Sequence, residues 1–105
     1  MKLLDRYQSH KSFGILLDTG HLKVSQQTLG FSAKEFINGI KFHTFQIHHS
    51  DNDATIDTNN PITDNYWFLQ YMQEFQNAVH TLEVHKQPVH QIKAQQNMLR
   101  RAIGA

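Results

Sequence analysis

The 105-residue chain contains no cysteine. That excludes a disulfide framework, a thiolate metal site and a thiol nucleophile, and it fits a reducing compartment. Long apolar runs are also missing. None approaches the roughly 18 residues that a membrane-spanning helix needs. In the opening stretch "MKLLDRYQSHKS" the apolar residues are cut off by Asp5, unlike the long apolar segment of a secretory leader. The expectation is a cytoplasmic protein with no membrane association. Charge is absent by region as well. Residues 42–85 hold six acids and no Lys or Arg, and residues 86–105 hold four bases and no acid. Residues 1–41 carry six basic and three acidic groups, so a net charge of +1 conceals a strongly uneven distribution. Such asymmetry bears on partners more than on fold. Five of the eight His fall in the acidic block, where nearby carboxylates favour the protonated ring and make pH sensitivity conceivable.

What is present fits one domain, long enough to bury a core without covalent staples. Residues 12–18 and 21–25 are short apolar runs around Thr19-Gly20. Leu22 and Val24 alternate with His21, Lys23 and Ser25, so the pair predicts a β-hairpin. In "FSAKEF", Ser32 and Glu35 form an S-x-x-E capping box, with Phe31 and Phe36 placed to close a hydrophobic staple. That predicts a short helix over 33–41, weakened by Gly39. Phe45 and Ile47 alternate with Thr44 and Gln46, giving a strand over 42–49. A polar loop follows to residue 61. Phe68, Tyr71, Met72, Phe75, Ala78, Val79 and Leu82 then recur at helical spacing, predicting a helix over 64–85. Pro88 opens a last helix, with a narrow stripe of Val89, Ile92, Leu99 and Ile103. The order β-β-α-β-α-α predicts an α+β domain spanning 1–105, its small antiparallel sheet covered by helices. The basic amphipathic segment 86–105 can dock on that domain or pair with a second copy.

Four short stretches resemble known sites. Leu16 to Gly20, "LLDTG", resembles the catalytic loop of retropepsins. The chain lacks that family's flap and its β-rich C-terminal half, so Asp18 and Gly20 read as turn residues. "IHHSDNDATIDTNNPITDNYWFL" resembles an HNH nuclease core. That resemblance implies His48 and His49 as metal ligand and general base, Asn65 as a bracing residue and His80 as a further ligand on a helix. The implied chemistry is metal-assisted phosphodiester hydrolysis. "VSQQTLGFSAKEFINGI" is similar to the repressor helix-turn-helix, which needs a helix on both sides of Gly30. Asp51, Asn52, Asp53 and Asp57 partly match an EF-hand loop, but Ile56 and Ile62 occupy the places of its Gly and bidentate Glu.

No complete catalytic constellation emerges. The reading from sequence is a small non-enzymatic regulator, inhibitor or adaptor that binds another protein and self-associates, needing no cofactor or metal. The partner's surface would be basic or nucleic-acid-binding, complementing the acidic block. Tyr66, Trp67, Lys93, Arg100 and Arg101 are the expected interface residues, being of types enriched at interfaces or in the basic stripe. The alternatives are a DNA-binding regulator using residues 24–40 and an HNH-like nuclease around His48 and His49.

Overall fold

A computed structural model describes residues 14–104. Three strands, β1 (Ile15–Asp18), β2 (Thr44–His49) and β3 (Val79–Leu82), form one sheet in the order β1-β2-β3. Both pairings are parallel, so the antiparallel sheet expected from sequence is wrong. Helices α1 (Thr19–Leu29) and α2 (Ala33–Ile40) connect β1 to β2, a short 3-10 turn at Lys41–His43 completing the crossover. A polar loop and a 3-10 helix at Trp67–Phe75 connect β2 to β3, and α3 (Val89–Ile103) follows.

The correction has a local origin. Asp18 does not turn the chain back. It ends β1 and caps α1, its Oδ1 accepting the His21 N–H at 2.9 Å. That satisfies one of the free amides of the first helical turn, the usual role of Asp before a helix. Once α1 starts, the Leu22/Val24 alternation is a coincidence of three residues. Leu22 is buried and Val24 only half so. Ser12 and Phe13 of the expected first strand lie outside the described residues. Gly30 closes α1 at φ 71°, donating its N–H to Gln26 O. The α2 start matches its sequence signals. Ser32 Oγ accepts the Glu35 N–H, and the Phe31 and Phe36 rings sit 5.8 Å apart as the staple requires.

The single helix expected over 64–85 is instead the 3-10 helix followed by β3. Phe68, Met72 and Phe75 are buried at helical spacing, but Val79 and Leu82 lie on opposite faces of a strand. Pairing with β2 decides for a strand: Gln46 lies opposite Val79 and His49 opposite Leu82.

Side chains alternate across the sheet. Leu17 and Ile47, paired in register, face the helices and join Ile37, Ile40, Phe68 and Met72 in the core. Leu16, Gln46 and Val79 share the other face, where Leu16 is 47% and Val79 62% exposed. Helix α3 packs on the 3-10 helix with Leu99 buried. Its buried Gln95 accepts the Ile62 N–H at 3.0 Å and donates to Gln87 Oε1 and Gln91 O, which offsets the cost of placing an amide there. Among the described residues no helix is long and apolar enough to cross a membrane.

Candidate metal centre

Because the strands are parallel, their carboxyl ends lie along one edge of the sheet. Each ends in a group able to bind a metal: Asp18 on β1, His48 near the end of β2, and Glu83 just beyond β3. Open parallel sheets characteristically bind ligands at this edge. Asp18 and His48 are in register, and Glu83 N–H donates to His49 O at 2.9 Å, continuing the β2–β3 ladder. The His48 Nδ1 lies 2.6 Å from Glu83 Oε2. The first turn of α1 adds His21, whose Nδ1 is 3.3 Å from Asp18 Oδ2 and whose Nε2 is 2.9 Å from Asp57 Oδ2.

Two groups of three follow, Asp18–His48–Glu83 and Asp18–His21–Asp57, with one ligand atom per residue all within 4.8 Å of one another. Donors bound at ~2.1 Å to one ion lie at most about 4.2 Å apart, so small side-chain rotations close either set. Either group could hold an ion, with Asp18 common to both. Mixed imidazole and carboxylate donors suit Zn²⁺, Mn²⁺ or Fe²⁺.

The surroundings fix these groups. Lys23 Nζ reaches from α1 to Asp51 Oδ1 at 2.8 Å and to the Asn52 carbonyl, tying the polar loop to the helix. Asn52 Nδ2 donates to Gly20 O at 3.0 Å and lies 3.5 Å from Asp57 Oδ1. Asp51 and Asn60 exchange two backbone hydrogen bonds across the loop. Gly20 is needed for space: a Cβ there would lie 2.6 Å from Ser50 Oγ and 2.7 Å from Asp57 Oδ1.

Beneath this edge runs a buried polar chain. Thr19 Oγ is 2.5 Å from Tyr66 OH, Tyr66 OH is 2.8 Å from His49 Nδ1, and His49 Nε2 is 2.8 Å from His80 Nδ1. His80 Nε2 meets the Phe75 carbonyl at 2.8 Å. Burial, then the neighbouring imidazoles of His80 and His48, push the His49 pKa down to about 3. Burial holds the Tyr66 phenol above its ordinary value despite the hydrogen bond from Thr19, with Asp51 and Asp18 acting in the same direction as burial.

The residues singled out from sequence are dispersed. His48 lies in the centre, but His49 points to the opposite face and is fully buried. His80 sits on β3 and contacts His49, not His48. Asn65 belongs to a turn, its N–H donating to Thr63 Oγ. Asp51 pairs with Lys23, and Asp53 accepts from Thr55 and Ile56 within its own turn, so the acidic loop does not gather as an EF-hand would. Of the expected interface residues, Tyr66 is 2% exposed and offers no surface. Trp67 is half-buried against Phe68 and Tyr71. Lys93, Arg100 and Arg101 are exposed on α3. Sequence reasoning missed His21 and Glu83, named Asp57 only as an EF-hand position, and took Asp18 for a turn residue. The available signal was three apolar runs, "ILLD", "FQIHH" and "HTLE", each ending in a metal-binding side chain. Comparison with protein-family models, curated proteins and solved structures finds no match for the chain.

Proposed function

We propose that the chain carries a divalent-metal centre at the carboxyl edge of its sheet and acts as a metal-dependent hydrolase. The observation behind this reading is that two triads sharing Asp18, namely Asp18–His48–Glu83 and Asp18–His21–Asp57, each bring their donor atoms within 4.8 Å of one another. A bound ion of this class supplies an activated water and polarises a substrate oxygen. Asp18 and His48 anchor the ion on rigid strand ends, and Asp57 is held by Asn52. The site is open on the side of His21 and Glu83, whose side chains are 71% and 54% exposed, so substrate can approach from solvent.

Titration with Mn²⁺ and Zn²⁺, followed by calorimetry and by electron paramagnetic resonance of free Mn²⁺, tests the reading. Asp18→Asn retains a competent helix cap yet should weaken binding at least roughly tenfold, as should His48→Ala. Metal-stimulated hydrolysis of an activated phosphodiester should fall in parallel. If both variants bind like the wild type, the metal centre is not where we place it.

A second reading draws on the α1–α2 pair, since helices do flank Gly30 as a DNA-binding helix-turn-helix needs. The exposed side of α2 presents Lys34 against Glu35, with Asn38 as the other polar group. That is little charge for phosphate contacts, and the pair also serves as the β1–β2 crossover. Salt-dependent binding of duplex DNA, lost in Lys34→Glu, would favour it. Protein contact through Lys93, Arg100 and Arg101 has only exposed charge behind it.

A further inference from the structure

The metal-centre reading leaves the buried chain Thr19–Tyr66–His49–His80 without a role. Four polar side chains in or against a hydrophobic core are costly unless fully paired, and these are paired end to end.

The chain has a direction. The Phe75 carbonyl can only accept, so His80 Nε2 carries the proton there. In neutral His80, Nδ1 then accepts from His49 Nε2–H. In neutral His49, Nδ1 in turn accepts from Tyr66 O–H. The Tyr66 oxygen is left to accept from the Thr19 hydroxyl, and Thr19 Oγ accepts the Ser50 N–H at 3.3 Å. The same oxygen lies 3.3 Å from His48 O and 3.2 Å from Ser50 O. The Thr19 hydroxyl therefore sits at the junction between the start of α1, one residue after Asp18, and the exit of β2, one residue after His49. Its one proton goes to Tyr66, so its bond to the exit of β2 is the one it accepts from the Ser50 N–H.

We propose that Thr19 and Tyr66 are positioning residues of the metal centre, holding Asp18 and His48 at ligand distance through a hydrogen-bond chain anchored on the Phe75 carbonyl. This rests on the metal-centre reading above. Neither side chain is among the ligating groups, so their effect on the ion passes through the backbone of β1, α1 and β2. Groups that hydrogen-bond metal ligands directly change affinity by roughly 10–100-fold; Thr19 and Tyr66 act one step further out, so the lower end of that range is expected.

The test compares Mn²⁺ affinity and melting temperature across a small set. Thr19→Val keeps shape and removes the hydroxyl. Thr19→Ser restores the hydroxyl, and Tyr66→Phe removes the next link. Ile40→Val, in the core at the end of α2, is the stability control. Thr19→Val and Tyr66→Phe should each bind Mn²⁺ about tenfold more weakly. Thr19→Ser should bind like the wild type, and Ile40→Val should melt lower with unchanged affinity. ¹⁵N spectra of the wild type should show His49 and His80 both as Nε2–H tautomers. If Thr19→Val and Tyr66→Phe bind like the wild type, the positioning role is refuted and the metal centre stands. If Ile40→Val loses as much affinity as they do, binding merely tracks stability and the positioning role is refuted too. If the wild type takes up no ion, the metal-centre reading falls and this role with it.

Discussion

His48 and His49 are neighbours of identical chemistry with opposite lives. One faces the side of the sheet that holds Leu16, Gln46, Val79 and Asp18, and it meets Glu83 and Gln46. The other faces the side that holds Leu17 and Ile47, fully buried between Tyr66, Phe68 and His80. A single step along a strand separates a site residue from a core residue. The two faces of this sheet thus do different work. One is packed and stabilising, the other is partly solvated and open to chemistry, although parallel sheets are commonly covered on both sides.

Substitutions at neighbouring positions on the two faces test the contrast most strongly. Ile47→Ala on the packed face should cost roughly 2–5 kcal/mol, from lost transfer energy and an unfilled cavity. Leu16→Ala, one strand away on the open face, should cost under about 1 kcal/mol. Urea denaturation with similar slopes for both measures the difference, and equal costs would mean that the faces are not distinct.

Acid is the next lever. His49 has a folded pKa of about 3 against an ordinary value of 6.5. The unfolded chain takes up this proton first as pH falls, so the stability tied to neutral His49 is full above pH 6.5 and lost toward pH 3. The slope reaches roughly 1 kcal/mol per pH unit. Stability measured between pH 7 and 4 should fall less steeply in His49→Gln than in the wild type. Parallel curves would place His49 outside this account.

At Gly20 the readout is the site itself. Gly20→Ala pushes a methyl group against Ser50 and Asp57. Asp57 can swing away, so the fold should survive while Mn²⁺ affinity drops about tenfold. Unchanged affinity would remove Asp57 from the ligand set.

The same contrast explains what could be read from sequence. Signals closed within a few residues were legible: the Ser32/Glu35 box, the Phe31–Phe36 staple and the alternation of β2. The strand direction was not, because it depends on whether Asp18 turns the chain or caps a helix, and Asp-Thr-Gly suits both. Residues 64–85 failed for a related reason. Val79 and Leu82, three apart, suit one face of a helix, and only pairing with β2, which puts them on opposite faces of the sheet, makes the segment a strand. The candidate site was visible one residue at a time. His48 stood out, but sequence adjacency tied it to His49, and a parallel sheet separates those two while bringing together Asp18, His48 and Glu83.

The cap on α1 bears finally on which ion could win. Asp18 Oδ1 is already engaged by the His21 amide, so chelation through both carboxylate oxygens would compete with the start of the helix. Calcium, which favours bidentate carboxylates and six to eight oxygens, finds only one free oxygen on Asp18, and two of the five candidate donors are imidazoles. A smaller ion content with four to six donors loses nothing by that arrangement. On the metal-centre reading, the helix cap would hold Asp18 to one oxygen per ion.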